Sequence, residues 1–230
     1  MGIITDNPVL RDRVTVFTDR HDAGRQLGSF LLQRLPLKNP VICAIPAGGV
    51  PVGVEIARAL SAPLVPLIVR KIRIPGTTEA GFGAVAWDGQ VIFNDRLVSA
   101  LGLSPVQVRM AVEETQQNVR ERIERYTGGR QFPDPAGKCV VLTDDGLASG
   151  YTMLVAIRAL RLHRPAKVMV AVPTASEGAA RLVATEVDEL VCLNVRGGSR
   201  FAVAEAYRRW YDLDDREVMD ELASVQQPDR

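Results

Sequence analysis

The chain has 230 residues and a mass of 25.1 kDa, which is enough for one domain with a substantial core. Apolar residues make up 47% and charged residues 24% of it, so the composition excludes an intrinsically disordered protein. Lys and Arg (28) nearly balance Asp and Glu (27), and the net charge of +1 argues against a dedicated nucleic-acid binder. The only two histidines are His21 and His163, so a three-histidine zinc site is excluded.

The cysteines and the uncharged segments indicate the compartment. Cys43, Cys139 and Cys192 each lie inside an apolar run, so we predict three buried strand residues without disulfides, which suits a reducing cytosol. The first residues show no secretory signal pattern. The longest uncharged stretch, 39–54, is interrupted by three prolines and three glycines and does not predict a bilayer span. We therefore expect a cytoplasmic protein with no membrane partner.

Short apolar runs alternate with helix-like segments along most of the chain. The runs lack polar alternation, which predicts strands covered on both faces, as in a parallel sheet. Strand–helix–strand units at this spacing predict right-handed crossovers and a doubly wound α/β domain. In chain order, the predicted elements are helix 18–35, strand 41–45, helix 50–60, strand 64–69, strand 139–142, helix 151–163, strand 168–172, helix 176–185 and strand 190–193.

Two further elements stand between the second and third of these strands. An Asp-Gly turn between the segments 82–86 and 90–93 predicts a β-hairpin. The segment 104–126 predicts one long helix, with Ser104 as its N-cap and Gly128 just beyond its end. The Glu/Arg-rich part of that helix is typical of a solvated face rather than of a binding surface.

Chemistry-bearing residues follow the predicted strand 139–142. In open α/β sheets, ligands bind beyond the carboxyl ends of the strands. Two adjacent carboxylates, Asp144 and Asp145, stand there, and a loop of small residues, 146–150, opens the next helix. Loop amides and the helix dipole suit a phosphate monoester, and the carboxylates suit a vicinal diol, so we predict a sugar-phosphate pocket. The alternative is a tight strand–helix turn with a capping Asp.

Two other phosphate-binding motifs are excluded by spacing. The loop 146–150 contains no lysine, so it is not a Walker A loop. The glycines in 48–53 do not match the dinucleotide fingerprint GxGxxG. The sequence therefore favours a sugar phosphate over a nucleoside triphosphate or a dinucleotide.

The residues 140–152 closely resemble the signature of type I phosphoribosyltransferases, in which a hydrophobic run leads into two acids and a Thr/Ser-Gly-x-Thr loop. The wider chain is similar to a bacterial subgroup of stand-alone phosphoribosyltransferase-domain proteins. This resemblance implies a doubly wound, mainly parallel sheet with a small hood and an inserted long helix. We expect a single domain over 1–230, with its core at about 38–195 and its hood from 1–37, from 196–230 or from both.

The resemblance implies that the chain binds phosphoribosyl pyrophosphate (PRPP). Asp144 and Asp145 would hold the ribose hydroxyls and act in catalysis, and the loop after them would cradle the 5′-phosphate. The pyrophosphate would lie on a loop that in this family often carries a non-proline cis peptide before two glycines. The PRPP-binding residues so implied are Ala47, Gly48, Gly49, Asp144, Asp145, Gly146, Leu147, Ala148, Ser149, Gly150, Tyr151 and Thr152.

A basic cluster matches the mobile loop of the same family. Arg70 and Lys71 lead into 75–78 (Pro-Gly-Thr-Thr), and the resemblance implies a catalytic role for both on the leaving group. The alternative is a solvated strand end. The resemblance also implies Mg²⁺ as cofactor, held mainly by substrate oxygens, with Asp144 and Asp145 as candidate protein ligands.

Two positions depart from the family pattern. Ala47 stands where a basic residue is common, so either a neighbour such as Arg70 or Lys71 compensates or pyrophosphate handling is weakened. Ala148 stands where members acting on 6-oxopurines carry an acid, so this loop offers no acid–base group.

The expected function is transfer of the 5-phosphoribosyl group from PRPP to a nucleobase or related acceptor, with release of pyrophosphate. Phe201 and Tyr207 are the candidates for stacking on the base, although aromatic residues are also common in cores. A second hypothesis is a non-catalytic PRPP- or nucleotide-binding regulatory protein of the same fold. The family resemblance implies a homodimer, to which the helix 104–126 would contribute.

Overall fold

The computed structural model describes residues 3–74, 81–93, 95–198 and 200–225, and the side chains of 95 and 96 are not described. The chain divides into two compact units, one formed by Met1–Leu67 with Phe132–Arg230 and the other by Ile68–Gln131. The single-domain organisation stays a prediction. In chain order, the elements are β1 (Ile3–Asp6), α1 (Arg20–Arg34), β2 (Pro40–Ala44), α2 (Gly49–Leu60), β3 (Leu64–Pro66), β4 (Val69–Arg73), β5 (Gly81–Ala86), β6 (Val91–Phe93), α3 (Asp95–Leu101), α4 (Pro105–Thr127), β7 (Cys139–Thr143), α5 (Tyr151–Leu162), β8 (Lys167–Ser176), α6 (Glu177–Ala184), β9 (Glu189–Arg196) and α7 (Asp215–Ala223).

The first unit is built on a six-stranded parallel sheet in the order β1-β9-β8-β7-β2-β3. The predicted doubly wound, mainly parallel fold is confirmed. The inner strands are almost continuously buried because both faces of the sheet are covered. The strand order reverses between β2 and β7. Such a switch point is where open α/β sheets bind ligands, and the loops that follow these two strands meet there.

Two predictions about the strands need correction, namely the extent of one strand and the burial of one cysteine. The predicted strand 64–69 is divided, because Leu64–Pro66 ends the parallel sheet as β3 and Val69–Arg73 belongs to the second unit. Pro66 has no N–H to continue a ladder, and an edge strand is where a proline is tolerated. Cys139 is only half-buried because it is the first residue of β7, whereas Cys43 and Cys192 are buried. All three cysteines are free, as predicted.

The second unit consists of an antiparallel sheet in the order β4-β5-β6 with two helices. The predicted hairpin is confirmed as β5 and β6, and β4 joins it as a third strand that the sequence did not indicate. The predicted long helix is confirmed as α4. Ser104 and Gln107 form a capping box at its start, and Gly128 ends it with a φ of 59°. Across the described ranges, no helix is long and apolar enough to cross a bilayer.

Helix α1 packs closely on α2 and thereby fixes the start of α1 beside the sheet. Gly24 and Gly28 make this approach possible. A Cβ at Gly24 would lie 2.8 Å from the carbonyl oxygen of Val52, and one at Gly28 would lie 2.8 Å from Cβ of Ala59. Because both glycines lie in the middle of a helix, where glycine costs about 1 kcal/mol relative to alanine, close packing is the physical reason for them.

The last helix, α7, is attached to the α1–α2 pair through His21. Its Nδ1 lies 3.0 Å from Oε1 of Glu55 on α2, and its Nε2 lies 2.8 Å from Oε1 of Glu221 on α7. Both ring nitrogens donate when the imidazole is protonated, and the hydrogen bond to Glu221, the hydrogen bond to Glu55 and their charges raise the pKa of His21. Arg25 and Arg58 also contact Glu55.

Replacing His21 by Gln is expected to change how stability depends on pH. Because the folded-state pKa is raised, the bridge contributes fully below the unfolded value near 6.5, and its contribution is lost as the pH rises through the folded-state pKa. The wild type should therefore lose free energy of unfolding over that window, and His21→Gln should lose less. Urea denaturation at a series of pH values measures this, with His163→Gln as the control. An unchanged pH slope in His21→Gln would contradict the bridge.

Candidate active site

The acid pair lies at the switch point of the sheet, directly after β7. The amide of Asp145 donates to Oδ1 of Asp144 at 2.8 Å, which orients the Asp144 carboxylate. The loop after β2 packs against them without space for a side chain. A Cβ at Gly48 would lie 1.9 Å from Oδ2 of Asp145, and one at Gly49 would lie 2.8 Å from Cα of Asp144. The structure therefore brings together the two loops to which the sequence assigned the ribose and the pyrophosphate.

The loop after β2 has the backbone that the family resemblance implied. The peptide bond between Pro46 and Ala47 is cis. Gly49 donates its amide to the carbonyl oxygen of Ile45 at 3.0 Å and begins α2. Ala47 and Gly48 thus lie at the positive end of a helix dipole, where an anion is stabilised.

The loop after the acid pair is anchored to the end of β8. Leu147 donates to the carbonyl oxygen of Thr174 at 3.0 Å, and Ser176 donates to the carbonyl oxygen of Leu147 at 2.9 Å. Gly150 precedes α5 with a φ of 76°, a conformation that favours glycine. Within the described part of the chain, the amides of residues 148–150 have no backbone or side-chain acceptor. Amides without an internal acceptor at a helix N-terminus are the arrangement that a phosphate group needs.

Arg20, the first residue of α1, was not among the predicted site residues. Its Nε lies 2.9 Å from Oδ2 of Asp145, its Nη1 donates to the carbonyl oxygen of Tyr211 at 2.8 Å, and its guanidinium lies 3.9 Å from the ring centroid of Trp210. Only 7% of Arg20 is exposed. A signal was present, since Arg20 occupies the same helical register as the buried Leu27 and Leu31.

Burial and mutual repulsion determine the charge of the acid pair. Burial raises the pKa of Asp144 well above its usual range, and the neighbouring Asp145 carboxylate raises it further. Burial also raises the pKa of Asp145, and the Arg20 guanidinium acts against that rise. The two carboxyls titrate as a pair. Arg20 therefore favours the ionised form of the residue that is expected to accept hydrogen bonds from the ribose.

The two aromatic candidates for base binding have intramolecular contacts. Tyr207 is 4% exposed, its ring packs against Phe17 and Trp210, and its hydroxyl donates to the carbonyl oxygen of Asp145 at 2.5 Å. Phe201 is half-buried beneath the guanidinium of Arg196. Tyr207 thus stabilises the backbone of the acid pair through its hydroxyl. The base-binding role of both residues stays a prediction.

Replacing Tyr207 by Phe is expected to lower the free energy of unfolding by about 1 kcal/mol, because it removes one buried hydrogen bond to the Asp145 carbonyl. Urea denaturation measures the change. Tyr211→Phe is the matched control, since Tyr211 is 56% exposed. Equal stability of Tyr207→Phe and the control would show that this hydrogen bond does not stabilise the fold.

Arg70 and Lys71, which are predicted to act on the leaving group, lie on β4 in the second unit. With Arg73 and polar residues of α4 they line a cavity of about 460 Å³. Burial lowers the pKa of Arg70, and the charges of Arg122 and Arg73 lower it further. The predicted loop 75–78 lies outside the described residues. The catalytic role of this cluster stays a prediction.

Fold and site together define a class of protein. A parallel sheet with a switch point, an acid pair after one central strand, a phosphate-type loop after it and a glycine pair facing the acids are the features of a phosphoribosyltransferase of type I. The model of the phosphoribosyl transferase domain family matches residues 17–206. The chain belongs to this family.

Individual relatives agree with that assignment. The chain is 37% identical over 204 residues to a protein of Mycobacterium tuberculosis that is provisionally named a phosphoribosyl transferase, in each of two strains. That match covers 89% of the chain and 46% of the relative, so the chain spans about half the length of the curated relatives it matches. The crystal structure of protein TT1426 from Thermus thermophilus is 32% identical, has a TM-score of 0.77 and covers 92% of this chain and 99% of that one.

Proposed function

We propose that the chain transfers the 5-phosphoribosyl group from PRPP to a nucleobase or related acceptor and releases pyrophosphate. The observation that carries the proposal is the direct contact of the acid pair with the glycine loop at the switch point. A ligand that reaches both loops and the amides of 148–150 needs a phosphate, a diol and a second anionic group. PRPP has these three parts in that order.

Each part of the ligand has its own binding residues in this proposal. The 5′-phosphate accepts hydrogen bonds from the loop that ends at Thr152, with Ser149 and the amides of 148–150 as donors. The ribose hydroxyls donate to Asp144 and Asp145. The pyrophosphate lies on the amides of 47–49 at the start of α2. This distribution leaves C1′ between the acid pair and the leaving group.

The reaction follows from that placement. The bond between C1′ and the pyrophosphate oxygen breaks, and its electron pair leaves with the pyrophosphate. A nitrogen lone pair of the acceptor forms the new bond to C1′, and the acceptor's proton passes to solvent. Positive charge builds on the sugar in the transition state, as in other glycosyl transfers. The carboxylates of Asp144 and Asp145 stabilise that charge, and so the acid pair acts more strongly on the transition state than on the substrate.

Mg²⁺ is the cofactor in this proposal. Over the described residues, no group of three or more His, Cys, Asp and Glu side chains forms a metal site. Asp144 and Asp145 nevertheless offer the oxygen ligands that Mg²⁺ prefers, and two carboxylates fit an ion that takes its other ligands from substrate and water. When bound, the ion would neutralise negative charge on the pyrophosphate.

The remaining assignments rest on the family resemblance. Arg70 and Lys71 act on the leaving group, and Phe201 or Tyr207 contacts the base. We also propose a homodimer in the cytoplasm, which the three free cysteines suit because a reducing compartment keeps thiols unpaired.

A second candidate function is a sensor that binds PRPP or a nucleotide without turning it over. Ala47 favours it, because the pyrophosphate loop has no side-chain cation at this position. A screen of nucleobases with PRPP and Mg²⁺, in which released pyrophosphate is measured, separates the two functions. Release that depends on one added base supports the enzyme. Saturable PRPP binding without release in the presence of any base supports the sensor.

A further inference from the structure

A buried arginine lies beside the loop that lacks a cation. Oδ2 of Asp145 is the atom that a Cβ at Gly48 would meet at 1.9 Å, and Nε of Arg20 lies 2.9 Å from the same oxygen. Gly48 and Arg20 therefore face one carboxylate oxygen from two directions. The guanidinium is thus a close neighbour of the loop in which Ala47 offers no charge.

Arg20 keeps hydrogen-bonding capacity in this position. Its Nε and Nη1 are used by Asp145 and by the carbonyl of Tyr211, and the ring of Trp210 covers its face. Its Nη2 has no acceptor among the residues that the structure describes. The fork geometry of a guanidinium is suited to phosphate oxygens, and its position is already fixed by the two bonds and the ring.

The space next to Arg20 is large enough for a small anion. Arg20 lines a cavity of about 210 Å³ whose wall includes Pro51, from the first turn of α2, Arg209, and the acidic residues Asp19 and Glu221. Arg209 is paired with Asp19. Glu221 is paired with His21. With both acids paired, the guanidinium of Arg20 and the positive end of the α2 dipole favour negative charge on the side of the cavity next to Arg20.

We infer that Arg20 is a pyrophosphate-binding residue, which supplies from α1 the positive charge that Ala47 does not supply from the loop. The inference rests on the proposed function. Negative charge grows on the pyrophosphate as its bond to C1′ breaks, so a guanidinium at this place stabilises the leaving group. Because Arg20 also holds Asp145, one side chain connects the ribose end of the site with its leaving-group end.

Titration calorimetry with inorganic pyrophosphate and, separately, ribose 5-phosphate, both in the presence of Mg²⁺, tests this inference. Arg20→Gln should lower the affinity for pyrophosphate about ten- to a hundredfold, the scale of one charge-assisted hydrogen bond, and should change that for ribose 5-phosphate much less. Arg20→Lys should keep part of the affinity. Arg25→Gln, on the exposed side of α1, is the control and should bind both ligands like the wild type.

Returning the charge to the loop makes the test specific. Adding Ala47→Arg to Arg20→Gln should restore pyrophosphate affinity, because the two arginines would supply the same charge from two elements. If Arg20→Gln does not fold, Arg20→Lys replaces it in this test. Ala47→Arg should then raise the pyrophosphate affinity more in the Arg20→Lys background than in the wild type, and an equal rise in both backgrounds overturns the inference.

Two other outcomes are decisive. The role of Arg20 is overturned if a folded Arg20→Gln variant keeps its pyrophosphate affinity, or if its affinities for both ligands fall by the same factor. In that case, binding of PRPP by the wild type leaves the proposed function intact. A wild type that binds none of PRPP, pyrophosphate and ribose 5-phosphate overturns both.

Discussion

Replacing Asp144 and Asp145 together by Asn is expected to lower the affinity for PRPP by at least about a hundredfold. Each carboxylate is expected to accept a hydrogen bond from a ribose hydroxyl, and a charged hydrogen bond contributes about 1.5–3 kcal/mol. Asn preserves size and shape. It also removes the charge repulsion between the two carboxylates, which together with burial raises the pKa of Asp144. Titration calorimetry with PRPP and Mg²⁺ measures the loss.

A matched control is available for this double variant. Asp212→Asn with Asp220→Asn removes the same charge from two exposed positions, and it should bind PRPP like the wild type. If the folded Asp144→Asn/Asp145→Asn protein keeps wild-type affinity, the acid pair does not bind the ribose.

Gly48→Ala is expected to damage both the fold and the site. The added Cβ would lie 1.9 Å from Oδ2 of Asp145, so that carboxylate must turn away from Arg20 or the loop must move. Overpacking of this kind costs about 1–3 kcal/mol, and we expect a loss of this size in the free energy of unfolding. PRPP affinity should fall about tenfold or more, since the lost orientation of Asp145 removes a charged hydrogen bond.

Gly178 provides the comparison for that substitution. A Cβ at Gly178, on α6, meets no atom within 4 Å, so Gly178→Ala should keep its affinity and gain up to about 1 kcal/mol from helix propensity. Denaturation and calorimetry on the two variants separate the steric effect from the general effect of adding a methyl group. Wild-type PRPP affinity in Gly48→Ala would show that the acid pair does not depend on contact with the loop.

The parallel sheet was predictable because its inner strands are continuous apolar runs, whose lack of alternation is itself the signal. The edge strand Ile3–Asp6 was not predicted, since it has four residues and is partly exposed. Helix α7 was also missed, although Asp214 and Glu217 form a capping box that the sequence displays. A capping box next to a short amphipathic segment therefore indicates a helix even where the apolar pattern alone does not.

The candidate site was predictable only where its residues are neighbours in the sequence. Asp144, Asp145 and the loop after them are consecutive, so their proximity follows from the sequence and the position of a strand end. Arg20 lies 125 residues away from its partner Asp145, and only the packing of α1 on α2 brings the two together. The hydroxyl of Tyr207 likewise reaches Asp145 from the C-terminal segment, which pairs with the residues that precede α1. The helical register of Arg20 indicates that it is buried, but the partners in these long-range contacts cannot be derived from local sequence patterns.

A crystal structure of the full chain with PRPP and Mg²⁺ tests the proposed binding of PRPP. We predict the 5′-phosphate on the loop 148–152, the ribose hydroxyls on Asp144 and Asp145, and the pyrophosphate on the loop 47–49 within reach of Arg20. Density for the ligand in another place, such as the cavity lined by Arg70 and Lys71, with the acid pair free of ligand, would contradict it.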